Sequence, residues 1–465
     1  MTLVAGVDSS TQSVKVVVIE VESGRTVRSA RAPHPDGTEV SATAWLNAYQ
    51  KATADPELLD GVEALAVGGQ QHGMVPLDEN GELVRDALLW NDNRSAPDAL
   101  DLIAELGGPR QWADAVGSVP VASMTVSKIR WLARSEPENA DRTASVVLPH
   151  DWLTWQIGGC SFAPVTDRGD ASGTCYFDAS ANEYRQDLVK RALGHALELP
   201  RAAAPAELIG HTPAGIALAP GTGDNMAAGL GLGLSRGEAV VSVGTSGTAF
   251  TKSSAQTHEP TGTVAGFADA TGEFLPLVCT LNGARNLVAT AQLLGVDLAE
   301  FSRLALSAPA GSQGLTFMPY LEGERTPPLP DARGQLVGMT LKNLTPANLA
   351  RAAIEGVLWS LAYGVQVLAE QTGPISRITL TGGAGESDAV RQIATAVFGL
   401  PVVVTDTFES VAVGAAKQAA WALTDELPTW PVPVLSTHEP SSEDLAAAAE
   451  ISERYGSVLR DHFNQ

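Results

Sequence analysis

The chain has 465 residues and a formal net charge of −23 at pH 7, with 44% hydrophobic and 18% charged residues. This length exceeds one typical hydrophobic core, so we expect two or three domains of ordinary globular composition. The negative charge repels nucleic-acid phosphates and anionic membranes. The sequence contains no uninterrupted run of eighteen apolar residues, so it does not predict a membrane span. The first residues enter a strand without the basic and apolar regions of a secretion signal, and the three cysteines form no Cys-x-x-Cys pair. We therefore expect a cytoplasmic protein with neither a nucleic acid nor a membrane as partner.

Two stretches of the chain, residues 4–19 and 239–250, share one design. Each has an apolar strand, a turn rich in Gly, Ser and Thr, and a second apolar strand. Small turn residues present backbone N–H groups and hydroxyls, which are the groups that bind a polyphosphate. The pair suggests two lobes that close on one nucleotide, and two ordinary hairpins are the alternative.

The remaining pattern alternates strands with helices, which is typical of an α/β architecture. In chain order it predicts a strand at 65–67, a strand at 145–148, a helix of small residues at 226–234, a helix that begins at Thr345-Pro346 and ends before Gly373, a strand at 378–380, a helix at about 387–397 and a short terminal helix. The polar segment 235–238 predicts a boundary between a lobe at 1–234 and a lobe at 235–465.

The turn Gly223-Asp224-Asn225 is the strongest single candidate for catalysis. Its position on a tight turn before a helix predicts an exposed carboxylate, and the neighbouring amide can bind a polyol. In phosphoryl transfer to an alcohol, a carboxylate mainly orients the hydroxyl, and its pKa need not be raised. The alternative is that Asp224 only caps the helix that follows.

Three other positions suit phosphate or metal chemistry. Asp8, at a strand end, fits a direct or water-mediated ligand of Mg²⁺, and a turn-forming role is the alternative. Lys15 follows the first turn and fits a γ-phosphate, unless it is a solvated lysine on an edge strand. Gly382-Gly383-Ala384 is typical of a turn that a nucleotide approaches closely, or of an ordinary strand–helix connection.

Polar clusters at residues 70–73 and 90–94 combine an aromatic face with amide and imidazole donors. Such a combination is suited to binding a sugar. The alternatives are ordinary loop residues and, for Trp90, a place in the core.

Together and in this order, these segments resemble the FGGY carbohydrate kinases, whose fold is shared with actin, Hsp70 and hexokinase. The resemblance runs from residue 6 to about residue 420 and includes motifs at 69–73, 89–94, 148–153, 170–174, 223–225, 244–247, 323–327 and 382–384. It implies a two-lobed α/β ATPase fold of duplicated ribonuclease-H-like domains. The first lobe would bind the sugar and carry the first phosphate hairpin, and the second would bind Mg·ATP.

The resemblance also implies roles for individual residues. Asp224 would be the catalytic base. The sugar would be bound by Gln71, His72, Trp90, Asp224 and Asn225. The nucleotide would be bound by Thr11, Lys15, Gly244, Thr245, Gly383, Ala384 and Ser387. Mg²⁺ would be held by Asp8 and Asp224.

Within the family, the chain is most similar to members that phosphorylate D-xylulose. Glycerol kinases carry Arg-Glu at the positions of Gln71 and His72, so this pair favours a ketopentose. The expected reaction is ATP-dependent phosphorylation of D-xylulose at O5, and a homodimer is one assembly we consider. The alternatives are another ketose or polyol kinase, such as a ribulokinase, and an actin- or Hsp70-like switch without a sugar substrate.

Three departures from the family pattern bear on the site. Ser10 replaces the usual glycine of the first hairpin, and Gln71 replaces a frequent methionine. The usual Gly-Gly-Gly-Ala turn is Gly-Gly-Ala-Gly at 382–385. We expect the first to alter the turn and the second to alter the polyol preference, and neither removes a catalytic group.

Overall fold

The structure is a computed structural model that describes residues 1–405 and 409–463. The strands are β1 (Leu3–Ser9), β2 (Ser13–Glu20), β3 (Thr26–Pro33), β4 (Glu39–Val40), β5 (Val62–Gly69), β6 (Val75–Leu77), β7 (Ala87–Leu88), β8 (Ser145–Val147), β9 (Val165–Asp167), β10 (Phe177–Asp178), β11 (Glu183–Tyr184), β12 (Arg201–Ala203), β13 (Gly210–His211), β14 (Ala217–Leu218), β15 (Thr222–Gly223), β16 (Glu238–Val243), β17 (Gly247–Thr251), β18 (Ala265–Ala268), β19 (Phe274–Thr280), β20 (Thr316–Met318), β21 (Gln335–Val337), β22 (Arg377–Thr381), β23 (Val402–Thr405) and β24 (Val434–His438).

The helices are α1 (Thr43–Ala52), α2 (Ala96–Leu106), α3 (Pro109–Val116), α4 (Thr125–Ser135), α5 (Pro137–Arg142), α6 (Pro149–Ile157), α7 (Arg168–Ser172), α8 (Gln186–Leu193), α9 (Asp224–Gly231), α10 (Ala284–Leu294), α11 (Leu298–Ser307), α12 (Pro346–Thr372), α13 (Asp388–Phe398), α14 (Ser410–Thr424) and α15 (Ser442–Phe463). Short 3₁₀ segments lie at Ala310–Gly314 and Gly383–Glu386.

The chain forms two compact units. The first contains residues 1–234, 253–276 and 409–432, and the second contains 235–252 and the described parts of 277–408 and 433–465. The first division therefore falls at the predicted boundary between 234 and 235. The C-terminal half is not one lobe, however, because two of its segments belong to the first unit.

Each unit is built on a large sheet, and six strands of each sheet follow the same order and directions. In the first, the order is β13-β14-β5-β1-β2-β3, with β15 also pairing with β5. In the second, the order β19-β17-β16-β22-β23 is followed by β24. In both, three antiparallel strands are followed by strands parallel to the first of the three. This repeat confirms the predicted α/β class with a duplicated domain.

Two neighbouring strands of the first sheet, β1 and β2, are strongly apolar and buried. Every residue of β1 is buried, and β2 is almost as buried, which fits their nearly continuous runs of small and branched apolar residues. Side chains from these strands share a core cluster with Trp45 of α1 and Trp152 of α6, whose ring centroids lie 6.3 Å apart. This core fixes the strands whose ends carry the candidate site.

Most of the predicted elements are present, with a few differences at the ends. Both glycine- and serine-rich turns join antiparallel strand pairs, and Thr345 caps α12 by accepting a hydrogen bond from the Asn348 N–H. The small-residue helix, α9, begins two residues earlier than predicted and ends at Gly231. The terminal helix was predicted as short and has 22 residues, and the preceding strand, β24, was not predicted.

Helix α12 is long and apolar enough to cross a membrane by length and composition. However, 72% of its most apolar window is buried inside the protein. Its apolar character is that of a core helix in the second unit.

Candidate functional site

Three parallel strand ends meet at one edge of the first sheet. Asp8 of β1 lies opposite Gly68 of β5, and Gly223 of β15 lies opposite Gly69. The carboxyl ends of parallel strands are where α/β sheets place their ligands. The pairing therefore places Asp8, the segment after Gly69 and the segment after Gly223 at the same edge.

Asp224 is the first residue of α9, and Gly223 is its N-cap without a side-chain hydrogen bond. The helix-cap alternative is therefore wrong. Asp224 Oδ1 accepts hydrogen bonds from the backbone N–H of Asn225 at 2.8 Å and from its Nδ2 at 2.9 Å. These contacts fix the carboxylate through one oxygen and leave Oδ2 for other chemistry.

The side chains of Asn225 and Gln71 are joined directly. Asn225 Nδ2 donates to Gln71 Oε1 at 2.8 Å, and Gln71 is 4% exposed. The buried Gln71 Nε2 has no hydrogen-bond partner among the described residues. A Cβ at Gly223 would lie 2.7 Å from Gln71 Cγ, so the glycine of this motif makes room for Gln71. The site thus holds an unused amide donor beside Asp224.

The Asp224 carboxyl has a raised pKa. Although part of the residue reaches solvent, burial of the carboxyl group and the nearby charges of Asp8 and Asp170 raise its pKa to about 7. The sequence pattern alone had suggested an exposed carboxylate without need of such a shift. A carboxyl group with this pKa exchanges protons near neutral pH, as a general base does.

Asp8 lies in a set of close polar contacts. Its Oδ1 accepts a short hydrogen bond from Ser10 Oγ, and its Oδ2 lies 3.7 Å from Lys15 Nζ. Burial raises the Asp8 pKa, while Ser10 and Lys15 act in the opposite direction. Ser10, the departure from the usual glycine, thus adds a hydrogen-bond donor to this carboxylate.

Lys15 is not on an edge strand, because β2 lies between β1 and β3. Its Nζ lies 2.6 Å from Glu409 Oε2 as well as near Asp8. The solvated-edge alternative is therefore wrong, and the role toward a phosphate stays a prediction. Glu409 was not singled out in the sequence, since 394 residues separate it from Lys15.

His72 is partly buried and adopts a positive φ of 66°, which is rare for a residue with a side chain. Its ring lies 5.4 Å from that of Phe267 by centroid. A Cβ at Gly173 would lie 2.3 Å from His72 Nδ1, so Gly173 in the 170–174 motif makes room for the imidazole. The histidine is held in a defined and strained conformation.

Trp90 is 37% exposed, and its Nε1 donates to Thr11 Oγ1 at 2.9 Å. The core alternative for Trp90 is therefore wrong. The hydrogen bond joins a predicted sugar-binding residue to a predicted phosphate-binding residue of the first hairpin.

Asp8 and Asp224 have the chemistry that Mg²⁺ requires. Mg²⁺ takes one or two carboxylates and completes its shell with water and substrate phosphates. Within residues 1–405 and 409–463, no group of three or more His, Cys, Asp or Glu side chains is arranged to hold a metal. Because the charge of Asp8 destabilises ionised Asp224, a cation between the two would relieve their repulsion. The two residues fit a metal that a nucleotide brings with it.

In the second unit, Gly244 and Thr245 form the turn between β16 and β17, and Thr245 is exposed. The Gly244 carbonyl accepts a hydrogen bond from the Ala284 N–H at 2.7 Å. A Cβ at Gly283 would lie 2.5 Å from that carbonyl oxygen. The start of α10 thus packs on this turn, and sequence reasoning did not single out Gly283.

The turn at 382–385 follows β22, which is parallel to β16. Gly382 has a φ of 88°, and a Cβ there would lie 2.8 Å from the Val243 backbone nitrogen. A Cβ at Gly383 would meet nothing within 4 Å. Gly382 is therefore required by the fold, whereas Gly383 lines open space, as expected where a ligand approaches. Ala384 lies in the short 3₁₀ segment, and Ser387 is the N-cap of α13 without a capping hydrogen bond.

The chain is similar to known proteins over most of its length. The model of the FGGY family of carbohydrate kinases, N-terminal domain, matches residues 3–231, and that of the C-terminal domain matches residues 239–423. The xylulose kinase of Streptomyces coelicolor is 44% identical over 439 residues, covering 91% of this chain and 89% of its own length. That of Streptomyces rubiginosus is 42% identical and covers 99% of this chain and 96% of its own.

A crystal structure of xylulose kinase from Bifidobacterium adolescentis has a TM-score of 0.89 and 44% identity, covering 97% of this chain and 99% of its own. The two matched family domains together cover most of the chain. The chain therefore belongs to the FGGY family of carbohydrate kinases and has their two-domain, actin- and hexokinase-like ATPase fold.

Proposed function

We propose that this protein transfers the γ-phosphoryl group of ATP to O5 of D-xylulose, with Asp224 as the general base. The observation that carries the proposal is the Asp224 carboxyl, held at the sheet edge by Asn225 with its pKa raised to about 7. The relatives named xylulose kinase, at 42% and 44% identity over nearly the whole chain, supply the substrate.

The chain's own groups account for binding of the sugar. Gln71 Nε2 is a buried donor that lacks a partner within residues 1–405 and 409–463, and a sugar hydroxyl would satisfy it. His72, Trp90 and Asn225 add an imidazole, an indole face and an amide around the same polyol. These groups orient O5 toward Asp224, and orientation is the main requirement of this reaction.

The chemical step then needs one proton transfer. Asp224 Oδ1 is engaged by Asn225, so Oδ2 accepts the proton of the O5 hydroxyl. The new bond joins O5 to the γ-phosphorus, the bond from that phosphorus to the β,γ-bridging oxygen breaks, and ADP leaves. Asp8 and Asp224 would hold the Mg²⁺ that accompanies ATP, and the ion would neutralise phosphate charge. Thr11, Lys15, Gly244, Thr245, Gly383, Ala384 and Ser387 are the proposed nucleotide contacts.

The test is ADP release measured by a coupled assay with D-xylulose, D-ribulose, glycerol, D-xylose or no sugar. D-xylulose should give the highest kcat/KM, and D-xylose should give none because its pyranose form ties up O5. Preference for D-ribulose or glycerol would leave a kinase and refute D-xylulose. Equal ATP turnover without sugar would refute the kinase and favour a switch protein.

A second test concerns the base. Asp224→Ala should lower kcat by a factor on the order of 10²–10⁴ and leave ATP affinity largely intact, because the other proposed nucleotide contacts and Asp8 remain. Asp187→Ala is the matched control, because Asp187 is also a first-turn carboxylate of a helix in the first unit and is 59% exposed. Activity of Asp224→Ala close to that of the control would remove Asp224 from the reaction.

A cytoplasmic location and a homodimer remain part of the proposal. Cell fractionation and light scattering of the purified protein test them. Recovery in the membrane fraction would contradict the cytoplasmic location, and a monomeric mass would contradict the homodimer.

A further inference from the structure

Four ionisable side chains are buried beside the candidate sugar site, and none of them is a substrate contact or the base in the proposed reaction. His150 and Asp170 are 0% exposed, Asp151 is 1% exposed and Asp167 is 3% exposed. Burial of charged groups is costly unless they are paired. A cluster of this kind therefore calls for a structural or functional reason.

His150 is the centre of the cluster. Its Nδ1 lies 2.8 Å from Asp170 Oδ2 and its Nε2 lies 3.1 Å from Asp151 Oδ1. Burial alone would lower the His150 pKa, but the three neighbouring carboxylates outweigh it and raise the pKa to about 9. The raised pKa favours the imidazolium form of the ring, in which Nδ1 donates to Asp170 Oδ2.

One set of contacts, which we call the Asp170 arm, links the cluster to His72. The His72 backbone interacts with the Asp170 carboxylate and favours its charged form, while Asp170 Oδ2 lies 2.8 Å from His150 Nδ1. The His72 backbone has a φ of 66°, and such strain persists only where surrounding contacts impose it. Asp170, itself fixed by His150, is one of these contacts.

A second set of contacts, the Asp167 arm, links the cluster to the segment that carries Asp224. Asp167 Oδ2 accepts a hydrogen bond from Thr222 Oγ1 at 2.6 Å, and its Oδ1 accepts one from the Asp170 N–H at 2.9 Å. Asp167 Oδ1 also lies 3.9 Å from His150 Nε2. Thr222 belongs to β15, two residues before Asp224. One cluster thus contacts both segments that form the site.

We propose that His150, Asp167 and Asp170 are positioning residues that hold His72 and the Thr222–Asp224 segment in the positions that catalysis requires. The proposal rests on the proposed function, because it takes His72 as a sugar contact and Asp224 as the base. It assigns the two arms different effects. The Asp170 arm governs sugar affinity, and the Asp167 arm governs the chemical step.

The Asp167 arm is tested at Thr222. Thr222→Val keeps the side-chain shape and removes the hydroxyl, so we expect kcat about tenfold lower with the sugar KM within about twofold. Thr222→Ser restores the hydroxyl and should recover most of the loss. Thr154→Val is the matched control, because the buried Thr154 hydroxyl has no hydrogen-bond partner among the described residues. The proposal is refuted if Thr222→Val matches this control, or if Thr222→Ser recovers nothing.

The Asp170 arm is tested at His150 by calorimetric titration with the sugar. His150→Leu should raise the sugar Kd about tenfold and leave the ATP Kd unchanged, because the Asp170–His72 contact loses its support. His150→Asn places an amide donor near the position of Nδ1 and should recover much of the affinity. Unchanged sugar affinity in His150→Leu would refute this arm. If His150→Leu does not fold, His150→Gln takes its place, because a glutamine amide reaches toward the position of Nε2 and leaves Asp170 without the Nδ1 donor. A raised sugar Kd in His150→Gln that His150→Asn restores supports the arm, and wild-type affinity in both variants refutes it.

These outcomes are separable from the proposed function. The wild-type enzyme identifies the accepted sugar, and the variants are then measured with that sugar. If D-xylulose fails and another polyol works, the split between kcat and affinity still tests the network. If no sugar is accepted, both proposals fall, and the wild-type assay alone shows it.

Discussion

The raised pKa of Asp224 has a measurable consequence for the pH dependence of the reaction. The usual pKa of this carboxyl, 3.8, is raised to about 7, by burial first and by the charges of Asp8 and Asp170 next. A general base is active when ionised, so activity should rise with pH through the pKa of the free enzyme. At pH 6 about one tenth of the carboxyl is ionised, and at pH 5 about one hundredth. Relative to its high-pH plateau, the rate should therefore be about tenfold lower at pH 6 and about a hundredfold lower at pH 5.

The assay measures kcat/KM between pH 5 and 8.5, with both substrates well below their KM so that the profile reports the free enzyme. Asp8→Asn removes one of the charges that raise the Asp224 pKa, so it should shift the acid limb to lower pH as well as reduce the maximum. Asp187→Ala, which alters an exposed carboxylate on α8, should leave the limb unchanged. A profile that is flat from pH 8 to pH 5 would refute the reasoning, because an ordinary carboxylate stays ionised over that range.

Three further predictions follow from the local geometry. His72→Ala should raise the sugar KM by roughly one to two decades through a lost buried hydrogen bond, and a change in the KM of ATP alone would contradict this. Gly382→Ala should lower Tm, because its φ is 88° and the new Cβ would lie 2.8 Å from the Val243 nitrogen. Gly383→Ala should instead leave Tm unchanged and raise the KM of ATP, and equal Tm losses in both variants would contradict the distinction. Thr345→Ala should lower the free energy of unfolding by about 1 kcal/mol in urea titration, with recovery in Thr345→Ser, because the cap of α12 is lost.

Local pattern in the sequence was enough to predict much of the fold. The two glycine- and serine-rich hairpins, the Thr345-capped helix and the first boundary after residue 234 all follow from apolar periodicity and turn residues, which depend on near neighbours. The candidate residues of the sugar site, such as Asp224 and Gln71, were found in the same way. The resemblance to a family placed these pieces in order and implied the duplicated fold.

Other features depend on residues far apart in the chain and were accessible only in three dimensions. Lys15 is paired with Glu409 across 394 positions, and segments 253–276 and 409–432 return to the first unit. The pKa of Asp224 is raised by burial and by the charges of Asp8 and Asp170, which lie on other segments. The pKa of His150 is raised by carboxylates that include Asp170, 20 positions away. The sequence by itself determined which groups the protein has and the local elements that carry them. Only the tertiary structure decided which of those groups become neighbours, because burial and Coulomb interactions depend on distance in space and not on distance along the chain.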